Sequence, residues 1–326
     1  MKDEYSFKDG SLVYFFSIVG LFVASVVLTM IANIVIGATG QSATDLVNQN
    51  WVTYLNAILN ELAFLLVFII YSKDSRTKKY SIKNINKSTF DLRLLVVFGL
   101  ALVVFFGSLN FTTFFNTLFA KISTPSNSNV PLANFGEFLL SVLCFAVAPA
   151  IAEELVFRGV IFSSLKNKIG TVFAIFVSSI IFTLIHFSIF QTIHQFILGV
   201  VLSLIFYVTG KLVYSMFFHF FNNFFVLFFV YVTKNSNFAI FSNFGTLEII
   251  LTFVIFVVAV FLSVFGFYFL KKLANKKKEE NTQNQGNNKN NTIIATDNRF
   301  DALYIGLYIL VFIFCIVIWA VNSFVK

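Results

Sequence analysis

Apolar runs follow one another along almost the whole chain, most of them close to the ~20 residues that a helix needs to cross a bilayer core. They cover approximately residues 12–36, 52–71, 94–120, 135–165, 171–189, 193–209, 212–232, 247–270 and 302–325. Backbone polar groups inside lipid must be satisfied within their own segment, so such runs predict helices. The expectation is an all-α polytopic membrane protein with about nine transmembrane helices.

Composition excludes the soluble alternative. The chain is 58% hydrophobic and 12% charged, against roughly 45–50% apolar and about 25% charged in an ordinary soluble domain. Its 47 phenylalanines among 326 residues exceed what one soluble core of this size can bury. The net charge of +8 calls for a membrane reading rather than a nucleic-acid one. Of the 23 lysines and arginines, all but Lys121, Arg158, Lys234 and Lys326 fall on one side if the N-terminus is cytoplasmic. The positive-inside rule therefore places the N-terminus in the cytoplasm and the C-terminus outside. No basic stripe interleaved with aromatics is present, so no nucleic-acid partner is expected. The first apolar run is too long for the core of a signal peptide and is expected to remain as a span. Cys144 and Cys315 both lie inside apolar runs, away from any ligand pattern, which predicts neither a disulfide framework nor a cysteine metal site. Residues 275–291, rich in lysine, glutamate, asparagine and glutamine, are expected to be a disordered tether to the ninth span.

An ionisable side chain inside a span is expensive and marks function by default. Those well inside the runs are Glu61, Glu153, Glu154 and Arg158, three of them within Pro149-Ala150-Ile151-Ala152-Glu153-Glu154-Leu155-Val156-Phe157-Arg158. Glu154 and Arg158 are four apart with the acid N-terminal, the favourable order for a pair on one helix face. Glu153 is turned about 100° away from its neighbour. It is left without that partner, and an unpaired carboxylate is the one available as a general base. The chain's three histidines lie in the fifth to seventh runs. His186 closes Phe182-Thr183-Leu184-Ile185-His186, and His219 opens His219-Phe220-Phe221-Asn222-Asn223, where His219 and Asn223 share a face. At about 1.5 Å per helical residue, Glu153, His186, His219 and Asn223 fall in one slab between the membrane middle and its cytoplasmic half. His194 is expected at the far interface, where solvation explains it. Glu61 needs a partner, with Arg158 one candidate.

Glu153-Glu154-x-x-x-Arg158, Phe182-x-x-x-His186 and His219-x-x-x-Asn223 resemble, in order and spacing, the three signature motifs of the CPBP family of intramembrane proteases. That family joins CAAX prenyl endopeptidases to bacterial bacteriocin-processing and immunity ("Abi") proteins. Gly199 and the Thr209-Gly210-Lys211-Leu212 turn also look like the family, although Lys211 stands where a serine is common. The resemblance spans about residues 135–232 and implies a CAAX-protease-like catalytic core there. Residues 1–134 would then be N-terminal transmembrane helices. Residues 233–326 would be C-terminal ones, interrupted by the asparagine-rich cytoplasmic loop at about 275–300; this loop and the ninth span lie outside the family core.

Carried onto this chain, the resemblance implies that Glu153 with His186 activates a water. His219 and Asn223 would hold the oxyanion, while Glu154 and Arg158 support the helix. The expected activity is endopeptidase cleavage of a membrane-associated peptide or protein in the bilayer, without a cofactor. A zinc-dependent alternative would use Glu153, His186 and His219 as ligands. The metal-free reading is preferred because a compact His-Glu-x-x-His helix is absent and Asn223 suits an oxyanion better than zinc. A non-catalytic scaffold or bacteriocin-immunity protein of the same fold is the alternative from another class. Pro149 is expected to free a backbone carbonyl and kink its helix. The abundance of Phe, Ile, Asn and Lys hints at an AT-rich bacterial genome, hence at a bacterial cell membrane.

Overall fold

The computed structural model describes residues 5–73, 91–124, 130–233, 244–284 and 301–324, and every regular element among them is helical. In chain order these are α1 (Phe7–Thr39), α2 (Ala43–Val47), α3 (Asn50–Lys73), α4 (Leu92–Phe119), α5 (Phe135–Val142), α6 (Ala148–Glu154), α7 (Ser163–Ile169), α8 (Thr171–Leu184), α9 (Ile189–Thr209), α10 (Leu212–Thr233), α11 (Thr246–Asn284) and α12 (Asp301–Phe324). π-helical turns at Leu143–Val147 and Leu155–Phe162 join α5, α6 and α7 into one rod over Phe135–Ile169. Large apolar side chains such as Ile34, Phe173, Phe261 and Phe265 point outward, the pattern of a protein whose solvent is lipid.

Among the described residues, eight helices are long and apolar enough to cross a membrane. The fifth of the nine expected spans is shorter: α8 has 14 residues, which at 1.5 Å per residue is about 21 Å against a hydrocarbon core of about 30 Å. Its end is marked by a turn in which Phe187 takes a left-handed backbone (φ 48). His186 sits in that turn and is half-buried.

The polar tail of α11 corrects a second expectation. The helix continues to Asn284, through the first part of the segment read as disordered. A helix already nucleated by its apolar span extends cheaply into Lys, Glu and Gln, which are good helix formers. Residues 285–300, the remainder of that loop, lie outside the described residues.

Helices α4 and α11 pack closely because Gly107 faces Ala259, and any Cβ at residue 107 would collide with that of Ala259. Helix α12 is seated on the bundle by polar contacts. Tyr14 bonds Cys315 (3.4 Å), Tyr308 meets Ser164 (3.3 Å), and Trp319 Nε1 donates to Thr192 Oγ1 (3.0 Å). Cys144 and Cys315 are both free.

Candidate active site

Glu153 and Glu154 end α6, between the two π-helical turns, and both are buried. A π turn adds a residue to the ladder and widens the helix, a distortion that recurs at functional sites. The first one has a local cause. Pro149 lacks the N–H that an α-helix would direct at the carbonyl of Phe145, four residues back. Asn223 Nδ2, from α10, donates to that carbonyl instead (3.1 Å).

The paired acid is Glu154. Arg158 NH1 donates to Glu154 Oε1 at 2.6 Å, and Arg158 NH2 donates to the carbonyl of Gly199 at 3.2 Å. Gly199 matters because a Cβ there would meet Ser179 Cα at 3.0 Å, tighter than ordinary van der Waals contact, so glycine favours the close approach of α9 to α8. His219 Nδ1 lies 3.2 Å from the same Glu154 oxygen, and its Nε2 lies 3.8 Å from Glu153 Oε2. Glu153 Oε2 is buried and has no hydrogen-bond partner among the described residues. His219 thus stands between the two acids, held by one and facing the other.

Phe182 gathers the three motifs. Its ring packs edge-on to His186 (5.1 Å) and to His219 (6.0 Å), and the Arg158 guanidinium lies over it at 4.5 Å. His186 Nδ1 is 2.9 Å from the carbonyl of Phe182, which can only accept, so Nδ1 carries the proton and Nε2 is left available. The contacts of Glu153 run to His219, and those of His186 run to Phe182; the two are neighbours through these residues.

Three positions were misread or missed in the sequence. His194, expected in solvent at the interface, is half-buried and its Nε2 lies 3.1 Å from Asn222 Nδ2. Asn222 in turn donates to Asn223 Oδ1 (3.3 Å). The available signal was a second asparagine beside Asn223 in a helix otherwise crowded with phenylalanine. Glu61 is not paired with Arg158, and its buried Oε2 has no partner among the described residues. It lies level with Glu153. Helix α3 runs beside the α5–α7 rod with Tyr54 bonded to Ser141 (3.3 Å) and Phe64 packed on Phe157 (5.8 Å). Glu61 is one turn before Phe64, and Glu153 one turn before Phe157.

Of the three alternative zinc ligands, Glu153 and His219 stand 3.8 Å apart. Among the described residues, no group of three or more His, Cys, Asp or Glu side chains could hold a metal ion.

Taken together, these features define an integral membrane protein with a buried cluster of acids, histidines and asparagines in its helical core. Residues 135–225 match the family described as Type II CAAX prenyl endopeptidase Rce1-like, which agrees with the resemblance carried by the three motifs. No curated protein and no solved structure matches the chain significantly.

Proposed function

We propose that the protein is an intramembrane endopeptidase that hydrolyses a peptide bond of a membrane-associated peptide or protein, with residues 135–232 as its catalytic core. The observation that carries this reading is the placement of His219 Nε2 3.8 Å from a Glu153 oxygen that has no hydrogen-bond partner among the described residues. Oxygen atoms of a hydrated peptide carbonyl fit between such groups, each within ordinary hydrogen-bond range.

In this mechanism Glu153, assisted by His186, takes a proton from a water molecule. The resulting hydroxide forms a bond to the carbonyl carbon, and the carbonyl electron pair moves to oxygen. His219 Nε2–H and Asn223 Nδ2–H donate to that oxyanion; removing one such donor elsewhere costs on the order of 10²–10³ in rate. The carbon–nitrogen bond then breaks, and the proton held by Glu153 passes to the leaving nitrogen. Glu154 holds His219 at Nδ1, so the imidazolium form has an Nε2–H directed at the site. Arg158 balances Glu154. The match of residues 135–225 to a protease family supports the same chemistry.

The test is cleavage of a membrane-associated peptide by the purified protein in detergent, with and without a metal chelator. Cleavage that persists in chelator is the expected result. Cleavage that is lost in chelator and restored by zinc would replace the metal-free mechanism. No cleavage of any membrane-associated peptide would favour a binding role for the same fold.

A further inference from the structure

We propose that Pro149, Asn222 and His194 are positioning residues that aim the amide of Asn223 at the reacting carbonyl, an inference that rests on the proteolytic reading above. The argument begins at the Phe145 carbonyl, which Pro149 deprives of its helical donor. A carbonyl can only accept, so the group of Asn223 that faces it at 3.1 Å must be Nδ2, and the orientation of that amide follows. Asn223 Oδ1 then faces Asn222 at 3.3 Å and must meet a donor, which makes the facing atom Asn222 Nδ2. The second proton of Asn222 Nδ2 points to His194 Nε2 at 3.1 Å, which must accept, so the proton of neutral His194 sits on Nδ1.

Every orientation in this relay is dictated by the previous one, from a proline in α6 to a histidine in α9. Its product is one remaining N–H on Asn223, with the amide plane fixed at both ends. The relay also carries a cost: Asn222 Oδ1 is buried without a hydrogen-bond partner among the described residues. Leaving a buried acceptor unpaired is unfavourable. A network serving packing alone would turn that oxygen to a donor; here both protons of Asn222 are committed to its neighbours. Misplacing a reacting group by about 1 Å costs on the order of 10²-fold in rate, so fixing Asn223 has a direct kinetic consequence.

The experiment compares wild type, Asn222→Ala, Asn223→Ala and the double variant, each with folded recovery measured, on one peptide substrate in detergent. Asn222→Ala is expected to lower kcat about 10- to 100-fold with KM nearly unchanged. The double variant should be no slower than Asn223→Ala alone, because the relay acts only through Asn223. Losses that add, or a wild-type kcat in Asn222→Ala, would overturn the proposal. A second measurement needs no cleavage: in protein labelled with 15N-asparagine, the Asn223 side-chain amide signal should move in both Asn222→Ala and Pro149→Ala. In the latter, a new backbone N–H competes for the Phe145 carbonyl. An unmoved signal overturns the relay even if the proteolytic reading stands, and a moved signal upholds it even if wild type cleaves nothing.

Discussion

Arg158 and Glu154 meet at 2.6 Å in a fully enclosed part of the helix bundle, and the second arm of the same guanidinium closes on the Gly199 carbonyl. One side chain therefore neutralises the buried acid and ties α9 to the rod that carries it. Removing one partner of a buried pair strands the other charge, at a cost of about 3–5 kcal/mol. Arg158→Ala should therefore lose most of its folded yield in detergent. Arg158→Lys should recover little, since an ammonium cannot reach both acceptors in a fork. Size-exclusion recovery and melting temperature check both.

Glu61 offers the opposite case. Its buried Oε2 has no partner among the described residues, and an unsatisfied buried polar group costs about 1–3 kcal/mol. Glu61→Leu should fold at least as well as wild type and melt a few degrees higher. A lower melting temperature would show that Glu61 makes a stabilising contact.

At one end of the bundle Asp91 caps α4 and receives Arg93 (2.6 Å), Lys277 of α11 (2.7 Å) and Tyr214 of α10 (3.0 and 2.9 Å). Burial alone would push this carboxyl up, but the hydrogen bonds from Arg93, Lys277 and Tyr214 outweigh it and hold it well below the usual aspartate range. A depressed carboxyl contributes stability above the unfolded value, about 3.9, and loses it as pH falls through the folded value. Asp91→Asn should accordingly melt lower than wild type at neutral pH. The difference should shrink in strong acid, and a gap that is constant with pH would contradict the ionic role.

The distribution of lysine and arginine predicts a cytoplasmic N-terminus and an external C-terminus. Reporter fusions after Gln285 and after Lys326 should then report opposite sides of the membrane. The same side for both would mean that α12 does not cross.

Much of the site was legible because helical spacing is a strong constraint in lipid. The four-residue interval from Glu154 to Arg158 foretold their ion pair, and the apolar runs foretold a polytopic helical bundle. What escaped depends on how particular helices end and meet. Nothing in the run at 171–189 showed that α8 would stop at Leu184, since apolar residues continue past the turn. The partner of His194 lies on another helix, and the level of Glu61 depends on the pairing of α3 with the rod; neither follows from local periodicity. The π-helical turns on both sides of Glu153 escaped as well, because an apolar pattern reads alike in α and π geometry.

The most direct measurement is the cleavage rate of Glu153→Gln beside wild type, at equal folded recovery, on a membrane-associated peptide in detergent. The substitution keeps the shape of the side chain and removes the base. A fall on the order of 10²–10⁴ with normal folding is predicted, the range attributed to a positioned general base. A Glu153→Gln protein that cleaves at the wild-type rate would contradict the account.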